Sequence, residues 1–99
     1  MFTVRVAVRV RPEERERFVT QLKKEEQEVP GLFEGCQRFA VYSDPADPDN
    51  LLLYEEWTSR EAASAYMASE YFKAGGEILF PLMVGPPDSA YYESVRVGP

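Results

Sequence analysis

The chain of 99 residues is predicted to be α+β, with a ferredoxin-like βαββαβ order: a four-stranded antiparallel sheet carrying helices on one face only. Three observations predict it. The stretch from Phe2 to Val10 alternates strictly between apolar and other residues, as a half-buried strand does. Two stretches with helical spacing and clear start signals follow at corresponding places in the two halves of the chain. Between those halves, Asp44 to Asn50 is dense in turn formers, so the middle strands form a hairpin.

In the first strand Phe2, Val4, Val6, Val8 and Val10 point one way and Thr3, Arg5, Ala7 and Arg9 the other. The valine face packs on something; the arginine face meets water, a cleft or a partner chain. Arg11-Pro12 ends the strand, and Glu13 and Glu14 suit the first turn of a helix. Phe18, Val19, Leu22 and the stem of Lys23 form its apolar stripe, with Glu25, Glu26 and Glu28 on the solvated side. Val29-Pro30-Gly31 is expected to close it through proline geometry and a left-handed glycine. The second strand spans Leu32 to Ser43, with Gly35 marking a bulge or bend and Phe39 and Val41 facing away from Arg38, Ala40 and Tyr42. The hairpin loop is expected to be long. The third strand begins at Leu51 and holds apolar residues on both parities, so its inward face stays undecided. Thr58 or Ser59 then caps an alanine-rich helix, and Ser69 caps a short second one anchored by Tyr71 and Phe72. Gly75-Gly76 is expected to interrupt it, Pro81 breaks an apolar cluster from Ile78 to Met83, and Ala90 to Val97 is the last strand, with Gly98-Pro99 as tail.

The whole length, 1-99, reads as one domain without repeats or low-complexity segments. A net charge of −6 argues against nucleic acid and against an anionic membrane surface. No apolar run approaches the ~20 residues of a membrane span, and the N-terminus lacks the continuous apolar core of a signal peptide, so a cytoplasmic location is expected. Cys36 is the sole cysteine, which excludes an internal disulfide. The chain has no histidine. A Ser-His-Asp hydrolase is thereby excluded and most zinc sites are disfavoured. Asp44, Asp47 and Asp49 lack the glycine and distant glutamate of a calcium loop, so no metal is expected.

The ordered set Tyr54-Glu-Glu-Trp57, Thr58-Ser59, Arg60-Glu-Ala62, Tyr66 and Ser69-x-x-Phe72-Lys73 resembles the antibiotic biosynthesis monooxygenase (ABM) domain family. So does Pro30-Gly31 leading to Cys36-x-Arg38-x-x-x-Tyr42 and Asp44-Pro-x-Asp-Pro48. The resemblance runs from about Phe2 to Val97. It implies the fold reached above and a homodimer whose two sheets form a dimeric α/β barrel. Members include cofactor-free monooxygenases of phenolic polyketides, quinol oxygenases, haem-degrading enzymes and domains of no established activity. Trp57 matches the tryptophan common in the family, although packing at the strand end is its commoner role. The asparagine and tyrosine that oxygenating members place around this tryptophan fall here at Leu53 and Ala63. The haem branch is disfavoured: its axial histidine falls near Gly76, its haem-facing tryptophan at Tyr66 and its pocket asparagine near Arg5.

Cofactor-free oxygenation needs a pocket that deprotonates a phenol and stabilises the anion while it passes an electron to dioxygen. Trp57 and Tyr66 are the catalytic candidates; Arg5, Arg38, Tyr42, Tyr54 and Phe72 are the substrate-binding candidates. Arg5, Arg9 and Arg38 share the face away from the helices and are suited to an anion, although pairing with Glu55, Glu56 or Glu93 explains each one singly. The functional expectation is a cofactor-independent monooxygenase acting on a small aromatic (phenol, quinol or polyketide-like) in a pocket between sheet and helices, without haem or other cofactor. The alternative is a non-catalytic dimeric module that binds a small molecule. In either case a homodimer through the open sheet face is expected, because Tyr42 and other large side chains there need cover.

Overall fold

The computed structural model describes residues 1–98; Pro99 of the expected tail lies outside them. Four strands, β1 (Phe2–Arg9), β2 (Cys36–Asp44), β3 (Asp47–Trp57) and β4 (Asp88–Glu93), form one antiparallel sheet in the order β2-β3-β1-β4. Three helices, α1 (Arg15–Leu32), α2 (Arg60–Met67) and α3 (Glu70–Leu79), supply the helical layer. The α+β, ferredoxin-like expectation is therefore met, with the second helical region divided in two by Ser69.

Register fixes the faces. Val4 of β1 stands opposite Glu55 of β3 and Tyr91 of β4, and Phe39 of β2 stands opposite Glu55. Hence Phe2, Val4, Val6, Leu51, Leu53, Glu55, Trp57 and Phe39 share the helix-side face, which settles the parity of β3. Arg5, Tyr54 and Ala40 stand in one row on the other face. Two clusters make up the core. One gathers Phe2, Val4, Val29, Phe39, Trp57, Ala63 and Tyr66. The other gathers Val10, Phe18, Leu22, Leu51, Leu82 and Met83. Full burial of side chains this large dominates the favourable free energy of a domain this size.

Several boundaries differ from expectation, each for a physical reason. The first helix does not stop at Pro30 but runs to Leu32, with Phe33 N–H donating to Val29 O at 3.0 Å. Gly31 is not left-handed; the positive φ falls at Gly35, at 95°, in the turn before β2. Consequently β2 starts at Cys36 rather than Leu32. The hairpin is tight rather than long: Asp44 pairs with Asp47 around Pro45-Ala46. Asp44 Oδ1 accepts from Ala46 N–H at 2.8 Å, an Asx turn that holds the reversal. Gly75 and Gly76 lie inside an unbroken α3. β4 begins at Asp88 and ends at Glu93, so Val95 and Val97 are outside the sheet. The caps fall where expected, with Ser59 Oγ accepting from Ala62 N–H and Ser69 Oγ from Phe72 N–H, both at 3.1 Å.

The glutamates of α1 depart furthest from expectation. Its buried stripe is Phe18, Leu22, Glu25 and Val29, so Glu25 faces the core and Lys23 lies outside the stripe. Glu26 Oε2 accepts the N–H of Val41 on the edge strand β2 at 3.0 Å, occupying a group that would otherwise invite another strand. Glu28 Oε1 accepts from the Tyr71 hydroxyl at 2.8 Å. None of the three is a freely solvated charge.

Candidate functional site

A cavity of about 280 Å³ lies between the sheet and the helices. Val4, Val6 and Leu53 form its floor, and Met67, Leu79 and Met83 are among the apolar side chains that enclose it. Phe72, Phe80 and Tyr91 also line it and are 38%, 56% and 52% exposed, which places them at its mouth. Into this apolar space β3 and α1 project one carboxylate each, Glu55 and Glu25, both only 4% exposed.

Glu55 is held by its neighbour two residues on. Trp57 is fully buried, and its indole Nε1–H donates to Glu55 Oε1 at 2.8 Å. Alternation puts both residues on the same side of β3, so the bond follows from strand geometry. Burial pushes the Glu55 carboxyl up to about 7 from its ordinary 4.5; the Trp57 hydrogen bond opposes this and the nearby charge of Glu25 adds to it. Such a group is about half ionised at neutral pH. Glu25 is also raised by burial, against the lowering effect of a hydrogen bond from Gln21 Nε2 to Oε2 at 3.0 Å. Gly75 makes room for it: a Cβ at that position would stand 3.0 Å from Glu25 Oε2.

Tyr66 completes the constellation. Its ring stacks on Trp57 at 5.1 Å between centroids and meets the edges of Phe33, Phe39 and Phe72. Burial and then the carboxylates of Glu55 and Glu25 raise its phenol strongly, so it stays protonated throughout the physiological range. Among the described residues its hydroxyl has no hydrogen-bond partner, yet no fully enclosed polar atom lacks one, so this hydroxyl reaches open cavity space.

The candidates expected from sequence are divided by the sheet. Trp57, Tyr66 and Phe72 belong to the helix side, Tyr66 and Phe72 lining the cavity and Trp57 supporting Glu55 from behind. Arg5, Arg38, Tyr42 and Tyr54 stand on the opposite face and do not reach it. There Arg38 donates to the Tyr42 hydroxyl and Tyr54 donates to Glu56. Arg9 is engaged at the sheet end by Asp47 and Asn50, each at 2.8 Å. Glu55, expected as a surface partner for arginine, is on the buried face, and of Glu56 and Glu93 only the latter meets an arginine side chain, Arg60 at 3.2 Å. Cys36 is half-buried and its thiol is pushed up to about 11, first by burial and then by the charge of Glu55, which leaves it inert. No group of three or more metal-ligating side chains occurs among the described residues, and no helix is long and apolar enough to cross a membrane.

Glu55 and Glu25 were the residues missed. The signals for them lay in spacing: Glu55 shares the parity of Leu51, Leu53 and Trp57, and Glu25 sits three after Leu22 and four before Val29.

Comparison with known proteins agrees with this fold. The family described as antibiotic biosynthesis monooxygenase matches residues 1–77. A protein from Nitrosomonas europaea, provisionally named an antibiotic biosynthesis monooxygenase, superposes with a TM-score of 0.89 at 20% identity, covering 97% of this chain and 100% of its own. Another so named, from Deinococcus radiodurans, gives 0.89 at 18% identity over 100% and 97% of the two chains. A conserved protein from Methanosarcina mazei gives 0.86 at 24% identity over 95% and 92%. At these identities the likeness establishes the fold. No curated protein matches significantly.

Proposed function

Because this chain belongs to the antibiotic biosynthesis monooxygenase family, we propose that it is a single-domain, cofactor-independent monooxygenase that takes a small phenolic, quinol or polyketide-like aromatic into the cavity between sheet and helices. The observation that carries this reading is Glu55, a carboxylate fixed by Trp57 N–H inside an apolar cavity and titrating near neutrality. A general base works best when its pKa lies close to the working pH.

Glu55 removes a proton from the substrate, either from a phenolic hydroxyl or from a carbon acidified by the ring. Tyr66, protonated and without another partner, donates to the oxyanion that develops and limits the cost of forming it in a low-dielectric space. The electron-rich anion passes one electron to dioxygen, the two radicals combine to a hydroperoxide, and loss of water leaves one oxygen atom on carbon as a carbonyl. Dioxygen thus takes four electrons from the substrate, and no external reductant is needed. Trp57 acts as a positioning residue through Glu55, and Phe72 bounds the substrate at the mouth.

The opposite face we assign to assembly. Arg38, Tyr42 and Tyr54 are joined in side-chain contacts there, and Tyr42 and Tyr92 are both substantially exposed. Arg5, in register with Tyr54, belongs to the same surface. A second copy laid sheet to sheet covers them, and light scattering at micromolar concentration reads the outcome as one or two chains per particle.

Oxygen uptake with a panel of anthrones and quinols tests the activity. Uptake is expected with at least one of them, falling about a hundredfold or more in Glu55→Gln. Smaller losses are expected in Trp57→Phe and Tyr66→Phe. Uptake that survives all three changes would remove the site; no uptake with any compound, while aromatics still bind, would return the protein to the non-catalytic binding role.

A further inference from the structure

The oxygenation chemistry uses Glu55 and leaves Glu25 without a task. Three polar atoms on buried side chains of the cavity lack a protein partner among the described residues. Glu55 Oε1 is engaged by Trp57 and Glu25 Oε2 by Gln21, which leaves Glu55 Oε2 and Glu25 Oε1 free. The third is the hydroxyl of Tyr66, a residue only 2% exposed. All three accept hydrogen bonds, two belong to carboxyls whose charged forms burial disfavours, and no lysine or arginine lines the cavity to answer them. Isolated buried carboxylates are unfavourable, and their cost is relieved by a cation that also donates hydrogen bonds. Apart from the exposed Ser89, the remaining walls are apolar and aromatic, with Tyr66, Phe72, Phe80 and Tyr91 presenting π faces or edges of the kind that accompany organic cations.

We propose that the cavity is specific for an aromatic ligand bearing an ammonium group, which donates to Glu25 and leaves the free oxygen of Glu55 to the proton transfer, and that Glu25 sets this charge preference. The assignment rests on the preceding reading only for the location of the substrate. It excludes the anionic substrates that the open-face arginines suit, because those arginines are across the sheet. At about 280 Å³ the cavity is at the small end of ligand sites and suits one ring with a short arm.

Glu55 feels Glu25 from α1. Glu25 feels Lys24 and Glu28 of its own helix. Tyr66 from α2, Tyr71 from α3 and Cys36 from β2 stand by as neutral groups at physiological pH. A bound ammonium therefore favours ionisation of both carboxyls, so its binding near pH 7 releases protons and tightens as pH rises.

Three compounds of one ring size separate charge from shape: tyramine, 4-ethylphenol and 4-hydroxyphenylacetate. Binding is read from the fluorescence of Trp57, the only tryptophan, which stacks on Tyr66 and bonds to Glu55. Tyramine is expected to bind about tenfold or more tightly than 4-ethylphenol at pH 7.5, and 4-hydroxyphenylacetate more weakly than either. Glu25→Gln keeps the side chain's size; it should reduce tyramine affinity about tenfold while leaving 4-ethylphenol within about twofold. Calorimetry in two buffers of different ionisation enthalpy should show proton release for tyramine alone. Equal binding of tyramine and 4-ethylphenol, no binding of any of the three, or a tyramine advantage that persists in Glu25→Gln overturns the assignment. Absence of oxygen uptake with all three would count against the oxygenase reading only, since the binding signal does not depend on turnover.

Discussion

Replacing Glu55 by glutamine should make the protein more stable as the solution becomes more alkaline. The variant keeps a carbonyl oxygen to accept from Trp57 Nε1–H but cannot ionise. In the native protein the Glu55 carboxyl titrates at about 7, against 4.5 when unburied, chiefly because burial penalises its charge. A raised carboxyl means that the folded state holds its proton more tightly than the unfolded one. The resulting stability is fully present below about pH 4.5 and is lost as the pH climbs through about 7. The interval between those two values is about 2.5 pH units; at about 1.4 kcal/mol each, the folded state loses about 3 kcal/mol by pH 8.5. Urea unfolding of both proteins from pH 4 to 8.5, at one fixed protein concentration so that assembly contributes equally, reads the difference directly. Glu25 shifts in the same direction and remains in both proteins, so it largely cancels in the comparison. The advantage of Glu55→Gln should grow by about 3 kcal/mol across that range. A difference that stays flat, or that shrinks as the pH rises, would show that Glu55 is not held in a dry site and would remove the proposed base with it.

Ser69→Ala should cost about 1–2 kcal/mol and Ser59→Ala about 1 kcal/mol in thermal or urea unfolding, because Ser69 Oγ both caps Phe72 N–H and donates to Tyr66 O at 2.6 Å, whereas Ser59 only caps; equal costs would refute the double role. Alkylation of Cys36 at pH 7.5 should run about a hundredfold slower than that of an ordinary thiol, since its pKa of about 11 leaves little thiolate; a rate like that of free cysteine would contradict its burial. Gly75→Ala should not give the gain of about 1 kcal/mol usual for a helix interior, but should regain it in a Glu25→Ala background, where the crowded carboxylate is gone.

What was legible in the sequence follows from how local each feature is. Strand β1 and the two serine caps depend on neighbours within a turn or a pleat, and they fall as the sequence implies. The extension of α1 through Pro30 depends on position instead. Proline removes one N–H bond to the preceding turn and its ring crowds the carbonyl four residues back, yet Phe33 N–H still bonds to Val29 O and closes the last turn beyond it. Gly75-Gly76 reads as a breaker by propensity but is demanded by packing, because side chains there would meet Glu25 and Phe80. The site was half visible. Trp57, Tyr66 and Phe72 are legible through the family resemblance, whereas Arg5 and Arg38 suit a substrate by charge but stand, as their parity implies, on the face away from the cavity. Glu25 and Glu55 were hidden for the converse reason: a carboxylate ordinarily marks solvent, and here periodicity and residue type disagree.

That disagreement is where the functional argument is strongest. A domain of this size is stable by about 5–15 kcal/mol, and two carboxylates in its interior, one alone costing about 3 kcal/mol at alkaline pH, take a large share of that margin. Leucine or glutamine at either position would fill the same space without a charge to desolvate. The fold instead adds hydrogen bonds that favour the charged forms, Trp57 N–H on one and Gln21 on the other, and opens room for Glu25 with a glycine at position 75. A cationic ligand beside the two carboxylates recovers the lost stability by binding only the folded state, and does so most where the carboxylates are most ionised. The rise in unfolding midpoint produced by saturating tyramine should therefore be larger at pH 8 than at pH 5. A rise that is equal at the two values, or larger at pH 5, would mean that the pair is not what the ligand recognises.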